Sequence, residues 1–319
     1  MAPPGTSSPT PGAAAEGESL RRRCDRLLIE LCCGPNSKLG SQPRFSEGCF
    51  VDRITIREDF TTARGMRFVR RGLNQHYGKN ILIWISFPCT GGSSWQRVNI
   101  AKGKPETIER VEAHWKLFRK LWENLEKIEK DIQSRGARIA IEWPRSCSYW
   151  NLGYVRDFCA RNSLETTFFD GCAYGLVAQY GREAGTPIRK PWRVDTNMEA
   201  LRGVLNRTCS CTKPHATCQG RETSATENYT DAIAEAVHYA FAAYAAGGQQ
   251  QSLELRNQAA AIGGRGGDGG SERLSSIQPC MNSFAAGPSV LSDAQRIARN
   301  AKTSCASASK RGKRCRRRR

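Results

Sequence analysis

Four short apolar or β-rich runs, each ending at or beside a cysteine or an acidic residue, constrain this chain most. Leu27–Cys33 runs into Gly34-Pro35-Asn36-Ser37, and Cys49–Ile56 into Glu58-Asp59. Asn80–Phe87 runs into Pro88-Cys89-Thr90-Gly91-Gly92-Ser93, and Ala137–Ile141 into Glu142-Trp143-Pro144. Runs of this length bounded by Gly and Pro read as buried strands. Between them lie helical patterns. Residues 63–75 form a basic helix, and 105–133 a long amphipathic one with Pro at its start and apolar residues at Val111, Trp115, Phe118, Trp122 and Leu125. A shorter helix around 149–162 precedes Glu165–Phe169, and a last one is expected from Thr230 to about 246. Strands alternating with helices predict an α/β fold: a doubly wound, mostly parallel sheet with helices on both faces. Right-handed crossovers then bring Cys33, Asp59, Pro88 and Glu142 to one edge of that sheet. Ligands of open α/β sheets bind at such an edge.

Composition sets the domain limits. Residues 1–19 are rich in Pro, Ala, Gly, Ser and Thr, and residues 247–319 in Gly, Gln, Ser and Ala. Neither can bury enough apolar surface to offset chain entropy, so both are expected to be disordered around one domain at 20–246. The net charge is +19, and eight of the positive charges lie in Lys310–Arg319 with no acid among them. A basic domain with a basic tail predicts a polyanionic partner, nucleic acid first and DNA before RNA. The tail reads as a nuclear-import signal or an electrostatic arm, and the expected location is the nucleus. No membrane partner is expected: the N-terminus lacks a secretory apolar core and no stretch approaches a membrane span. The 14 cysteines are therefore expected as thiols, metal ligands or nucleophiles.

Cys89 and Glu142 are the candidate catalytic pair. A thiolate adds to an electron-poor ring carbon, and a carboxyl with a raised pKa protonates a ring nitrogen and eases that addition. The plainer alternative makes Cys89 a small turn residue and Glu142 a helix cap or a partner of Arg145. Trp95 and Trp143 either stack on a ring of the ligand or belong to the core. Ser93, Gln96, Arg97 and Asn99 follow Cys89 in its loop and either touch substrate or are solvated.

Pro88-Cys89-Thr90-Gly91-Gly92-Ser93 resembles the Pro-Cys-Gln-Gly-Phe-Ser loop of cytosine-5 DNA methyltransferases, whose Cys attacks the target base. Glu142-Trp143-Pro144 resembles the Glu-Asn-Val motif of that family, whose Glu holds and protonates the base. Glu30-Leu31-Cys32-Cys33-Gly34 is similar to its first motif, which binds S-adenosyl-L-methionine. The resemblance spans about residues 25–245 and implies the Rossmann-like methyltransferase fold. It implies cofactor contacts from Glu30, Cys32, Gly34, Asn36 and Pro88, with Glu58 or Asp59 on the ribose. Arg189 and Arg193 fall in the stretch that resembles the family's arginine motif, and Glu227-Asn228-Tyr229-Thr230 stands where its closing motif stands. The interval from Arg193 to Asn228 is too short for a full target-recognition domain. The chain also resembles methyltransferase-like segments encoded by some retroelements. On this reading it methylates cytosine C5 in DNA. The alternative is a catalytically inactive nucleic-acid-binding module of the same fold.

Separately, Cys209-x-Cys211-x3-His215-x2-Cys218 offers the ligand types of tetrahedral zinc, at tighter spacing than a C-x2-C knuckle. The alternative is a cluster of reduced thiols.

Overall fold

The computed structural model describes residues 23–263 except 42, 43 and 77, and gives only the backbone for 248–263. Its centre is a six-stranded mixed sheet: β1 (Arg26–Leu31), β2 (Cys49–Ile54), β3 (Asn80–Ile85), β4 (Arg138–Pro144), β5 (Glu165–Asp170) and β6 (Pro191–Thr196), in the order β2-β1-β3-β4-β6-β5. The pairs β1/β2, β1/β3 and β3/β4 are parallel, whereas β6 runs antiparallel to both β4 and β5. Five strands thus point one way and β6 alone is reversed. β1 is buried along its whole length, which explains its unbroken apolar sequence.

Two strand ends differ from the sequence reading. β1 stops at Leu31 because Cys32 takes a left-handed backbone conformation (φ 62°). β4 continues to Pro144 because β6 pairs with it, matching Glu142 to Val194 and Trp143 to Arg193. Glu142 therefore stands inside a strand, and successive residues there face opposite sides of the sheet.

Helices cover both faces. They are α1 (Ala63–Gln75), α2 (Trp95–Ala101), α3 (Pro105–Ser134), α4 (Gly153–Arg161), α5 (Glu199–Val204), α6 (Arg221–Ala225) and α7 (Asp231–Gly263). Thr62 caps α1 by accepting a hydrogen bond from the Gly65 amide. On one face Leu28, Leu82, Trp84 and Val194 pack with Leu201 of α5 and Ile233, Val237 and Phe241 of α7. On the other, Phe118 of α3 stacks on Tyr149 at 3.7 Å between ring centroids, and meets Trp143 of β4 at 5.7 Å. Trp115 and Trp122 complete that aromatic cluster.

The described residues up to Ala245 form one unit; the second begins at Ala246. The backbone of α7 is helical to Gly263, beyond the end expected near 246. Of the segments expected to be disordered, 1–19 and 247–319, residues 1–19 and 264–319, with the basic tail, lie outside the described residues. Among the described residues no helix is long and apolar enough to cross a membrane.

Phe118 is fully buried and meets five other aromatic rings. Phe118→Ala should cost about 3–5 kcal/mol in urea unfolding; a loss under 1 kcal/mol would show that the cluster does not hold α3 to the sheet.

Candidate functional site

The sheet order reverses about β1: the chain passes from β1 to β2 on one side, then to β3 on the other. A crevice forms where neighbouring strands lead off in opposite directions. A cavity of about 140 Å³ opens there, beyond the carboxyl ends of β1, β3 and β4. Glu30, Pro88, Cys89, Glu142, Lys190 and Tyr229 all line it. The fold thus brings Cys89 and Glu142 to one cavity, 53 positions apart in sequence.

Glu142 is held by Tyr229, which precedes α7. The Tyr229 hydroxyl donates to Glu142 Oε2 at 2.7 Å and accepts from the Trp84 indole at 2.9 Å. Burial pushes the Glu142 carboxyl up, and the charge of Lys190 and the Tyr229 hydrogen bond only partly oppose it. A carboxyl in that state is suited to giving a proton. The backbone of Tyr229 (φ 62°, ψ 179°) is in a region that is essentially glycine's own, at a cost of about 1–3 kcal/mol. Its side chain compensates by joining β3 to β4.

Cys89 is half-buried. Its thiol is pushed up to about 11, first by burial and then by the charge of Glu142, while Lys190 pulls it down. Arg145 does not pair with Glu142; its guanidinium lies over Phe168. The glycines after Cys89 are required by space. A Cβ on Gly91 would come within 2.6 Å of the Tyr149 hydroxyl, and one on Gly92 within 2.6 Å of Cys147 Sγ. The Gly92 carbonyl accepts from the Ser148 amide at 2.8 Å, seating the loop on the turn that follows β4.

At the other end of the cavity Glu30 is fully buried. Ser37 donates to its Oε1, while Oε2 has no donor. Burial raises this carboxyl to about 7 against hydrogen bonds from Ser37 and Cys33. Cys32, Cys33 and Gly34 line the cavity beside it. Cys32 is pushed up to about 12 by burial and by the charge of Asp59. A Cβ on Gly34 would lie 3.3 Å from Asn228 Oδ1, so this turn packs against the segment leading to Tyr229.

Other expected residues lie elsewhere. Asn36 is exposed and does not line the cavity. Glu58 accepts from the amide and hydroxyl of Thr55, and Asp59 from those of Thr61, so both carboxylates close their own turns. Trp143 borders the cavity, but its ring belongs to the core: it is 1 % exposed, and its indole donates to the Phe87 carbonyl. Arg193 lies on the sheet face opposite Glu142, bound through two nitrogens to Asp195 and stacked over Trp150. Arg189 pairs with Asp170 at 3.3 Å, outside the cavity. Ser93 is half-buried and outside it too, and Arg97 is exposed. Gln96 ties its helix back to the Thr90 carbonyl. Trp95 is 63 % exposed, a ring open to solvent one helical turn from the Cys89 loop.

Two lining residues, Lys190 and Tyr229, have no role in the sequence reading. Lys190 donates to Thr226 Oγ1 at 2.9 Å and lies over the Trp192 ring. A lysine beside an arginine motif and a tyrosine before a helix give no period or spacing signal of their own.

A second constellation lies after β5. Ligand atoms of Cys172, Cys209, Cys211 and His215 all fall within 4.8 Å of one another, a set that could hold a metal ion. Cys218, expected among the ligands, instead faces the Thr226 hydroxyl at 3.7 Å. Cys172 takes its place because Asp170, two residues earlier, accepts from the Cys209 amide at 2.8 Å. Sequence spacing could not include Cys172, 37 residues before Cys209.

Comparison of the chain with protein-family models, with curated proteins and with solved structures gives no match.

Tyr229→Phe leaves Glu142 Oε2 and the Trp84 indole without their shared partner, and should lower stability by about 1–3 kcal/mol in chemical denaturation. An unchanged midpoint would show that the hydroxyl holds nothing.

Glu30 gives a pH dependence of definite sign. Its carboxyl titrates near 7 in the fold, against an ordinary 4.5. Between those values the folded protein keeps a proton that the unfolded chain has lost, so stability falls as pH rises through the window. The full effect is about 3 kcal/mol. Urea unfolding at several pH values should show this decline weakened in Glu30→Gln; parallel profiles for the two proteins would refute it.

Proposed function

We propose that the chain is an S-adenosyl-L-methionine-dependent methyltransferase acting on cytosine C5 in DNA, with Cys89 as nucleophile and Glu142 as proton donor. One observation carries the reading: a cysteine and a buried, pKa-raised carboxyl line the same small cavity at the carboxyl edge of the sheet. The doubly wound, Rossmann-like topology belongs to the reading as well. Its support is the parallel set β2-β1-β3-β4 and the reversal about β1.

The cavity is smaller than the roughly 300–1,000 Å³ of most ligand pockets, and the target base would take its Cys89–Glu142 end. Such a base has to leave its stack, or come from a single strand, to enter. Cys89, having lost its thiol proton to solvent, forms an S–C6 bond as Glu142 delivers a proton to N3. Once C5 carries the methyl group, the C5 proton leaves to solvent, the S–C6 bond breaks to free the thiolate, and N3 returns its proton to Glu142. Lys190 is the cation beside both groups, and it favours the thiolate form of Cys89.

The residues at the Glu30 end fit the cofactor. Glu30 Oε2 is a buried carboxylate oxygen without a donor, which a cationic ammonium group satisfies. Cys32, Cys33, Gly34 and Pro88 would complete that end, and the bound cofactor would supply an electrophilic methyl group. A structural zinc ion on the Cys/His cluster is a separate part of the proposal and does not depend on the methyl-transfer chemistry. Net charge +19 supports a nucleic-acid partner and a nuclear location.

A second reading, a binding module of this fold without catalysis, is favoured by the Cys89 thiol at about 11 and by Arg193 being locked to Asp195. The two readings separate on one experiment. Full-length protein is mixed with cofactor and DNA carrying 5-fluorocytosine, then run on a denaturing gel. The methyltransferase gives a covalent adduct that is lost in Cys89→Ser and falls at least tenfold in rate in Glu142→Gln. Saturable cofactor binding with DNA binding but no adduct supports the second reading, and no cofactor binding at millimolar concentration defeats the first.

A further inference from the structure

We infer that Cys172, Cys209, Cys211 and His215 bind one zinc ion, and that this ion fixes the cavity wall carrying Lys190, Thr226 and Tyr229. The inference stands on the structure of the loop and does not require methyl transfer.

Residues 206–220 run for fifteen positions without a helix or strand, and only Ala216 among them is buried. A segment of that length with one buried alanine lacks the apolar contacts to offset its ordering entropy. Something else has to hold its path. The hydrogen bonds that anchor it include the Cys209 amide to Asp170 Oδ2, the Ala216 amide to the Pro187 carbonyl at 2.8 Å, the Arg207 carbonyl accepting from the Asp170 amide at 3.1 Å, and the weaker contacts of the Arg207 amide with the Tyr174 hydroxyl and of Cys218 with Thr226. The four ligand side chains converge where these anchors meet.

The ligand set selects the metal. Three thiolates and one imidazole suit zinc, and the absence of a carboxylate among them disfavours magnesium and calcium. Zinc bonds of about 2.3 Å to sulfur and 2.0 Å to nitrogen place tetrahedral S···S pairs about 3.8 Å apart and S···N pairs about 3.5 Å apart. Cys209 Sγ lies 3.3 Å from His215 Nε2, and the whole set falls inside 4.8 Å. The Cys211 amide already points at Cys209 Sγ at 3.3 Å, an N–H···S contact that favours the thiolate. Four protein ligands leave no open position, so the ion is structural.

Cys172 gives the site its reach. It sits in the turn Gly171–Tyr174 directly after β5, far from the loop in sequence. The Gly171 amide donates to the carbonyls of Arg189 and Lys190. On the other side the loop leads into α6, where Glu222 accepts from the amides of Gln179 and Tyr180. Thr226, just after α6, receives the Lys190 ammonium. A metal joining Cys172 to the loop therefore fixes both ends of the Lys190–Thr226 contact.

The test uses the full chain, purified under reducing conditions without chelator. Metal analysis should find one zinc per chain. Cobalt substitution should give the absorption bands of tetrahedral, thiolate-bound cobalt. Cys172→Ala should weaken zinc binding at least tenfold, and Cys218→Ser should leave it unchanged. Sub-stoichiometric zinc overturns the site, as does a Cys172 disulfide, or zinc lost in Cys218→Ser and kept in Cys172→Ala. If Cys172→Ala does not fold, chelator titration of the unaltered protein decides the stoichiometry. For the wall, hydrogen exchange is followed before and after chelation. Faster exchange at 187–190 and 226–229 as well as at 206–220 supports the inference; loosening confined to 206–220 overturns that part.

Discussion

The Tyr229 hydroxyl is the interaction on which the cavity depends. It is the meeting point of three elements: β3 through the Trp84 indole, β4 through the Glu142 carboxyl, and the segment that starts α7 through its own backbone. A carboxyl buried as Glu142 is would be costly if charged and poorly fixed if merely neutral. The hydroxyl gives it one defined partner. In return the chain accepts a backbone geometry at Tyr229 that a side chain rarely adopts. Strain of this kind persists only where the surrounding structure determines it from several sides, and such places are commonly functional.

Reversal of β6 has an equally local effect. Because β6 runs against β4, its N-terminal end lies beside the carboxyl end of β4, and Lys190, one residue before β6, arrives next to Glu142. A parallel strand there would have brought its own carboxyl end to the cavity in place of this lysine. The same pairing sends Arg193 to the far face with Trp143, and Val194 to the near face with Glu142. Parity along one strand thus decides which cation of the Arg189–Arg193 stretch serves the cavity. Lys190 does; Arg189 and Arg193 are consumed by Asp170 and Asp195.

These two constraints explain what could be read from sequence. The strands β1, β3 and β4 and the helices α1 and α3 were legible because burial on both faces gives unbroken apolar runs, and burial on one face gives a helical period; β2, at the sheet edge, was legible from its β-rich sequence. The edge that gathers Glu30, Cys89 and Glu142 followed from strand ends alone. What escaped depends on partners distant in sequence. The core placement of Trp143 follows from the aromatic cluster built by α3, and the roles of Glu58 and Asp59 from threonines in their own turns. Cys172 could join the metal-ligand set only once Asp170 had bound the Cys209 amide. Each is a choice between two plausible surroundings for one residue, and only the packed chain makes that choice.

The cavity and the Cys/His cluster are linked by the same covalent path. From Cys172 the chain runs through Arg189 and Lys190 into β6, and from His215 through Glu222 and Thr226 to Tyr229. Both paths end on groups that set the charge around Glu142, one a cation and the other a hydrogen-bond donor. The Lys190–Thr226 hydrogen bond closes the circuit between them. A site built this way has its electrostatics fixed from outside the sheet, by a loop too exposed to hold itself. The ligand atoms of Cys172, Cys209, Cys211 and His215 converge where that loop meets the turn after β5.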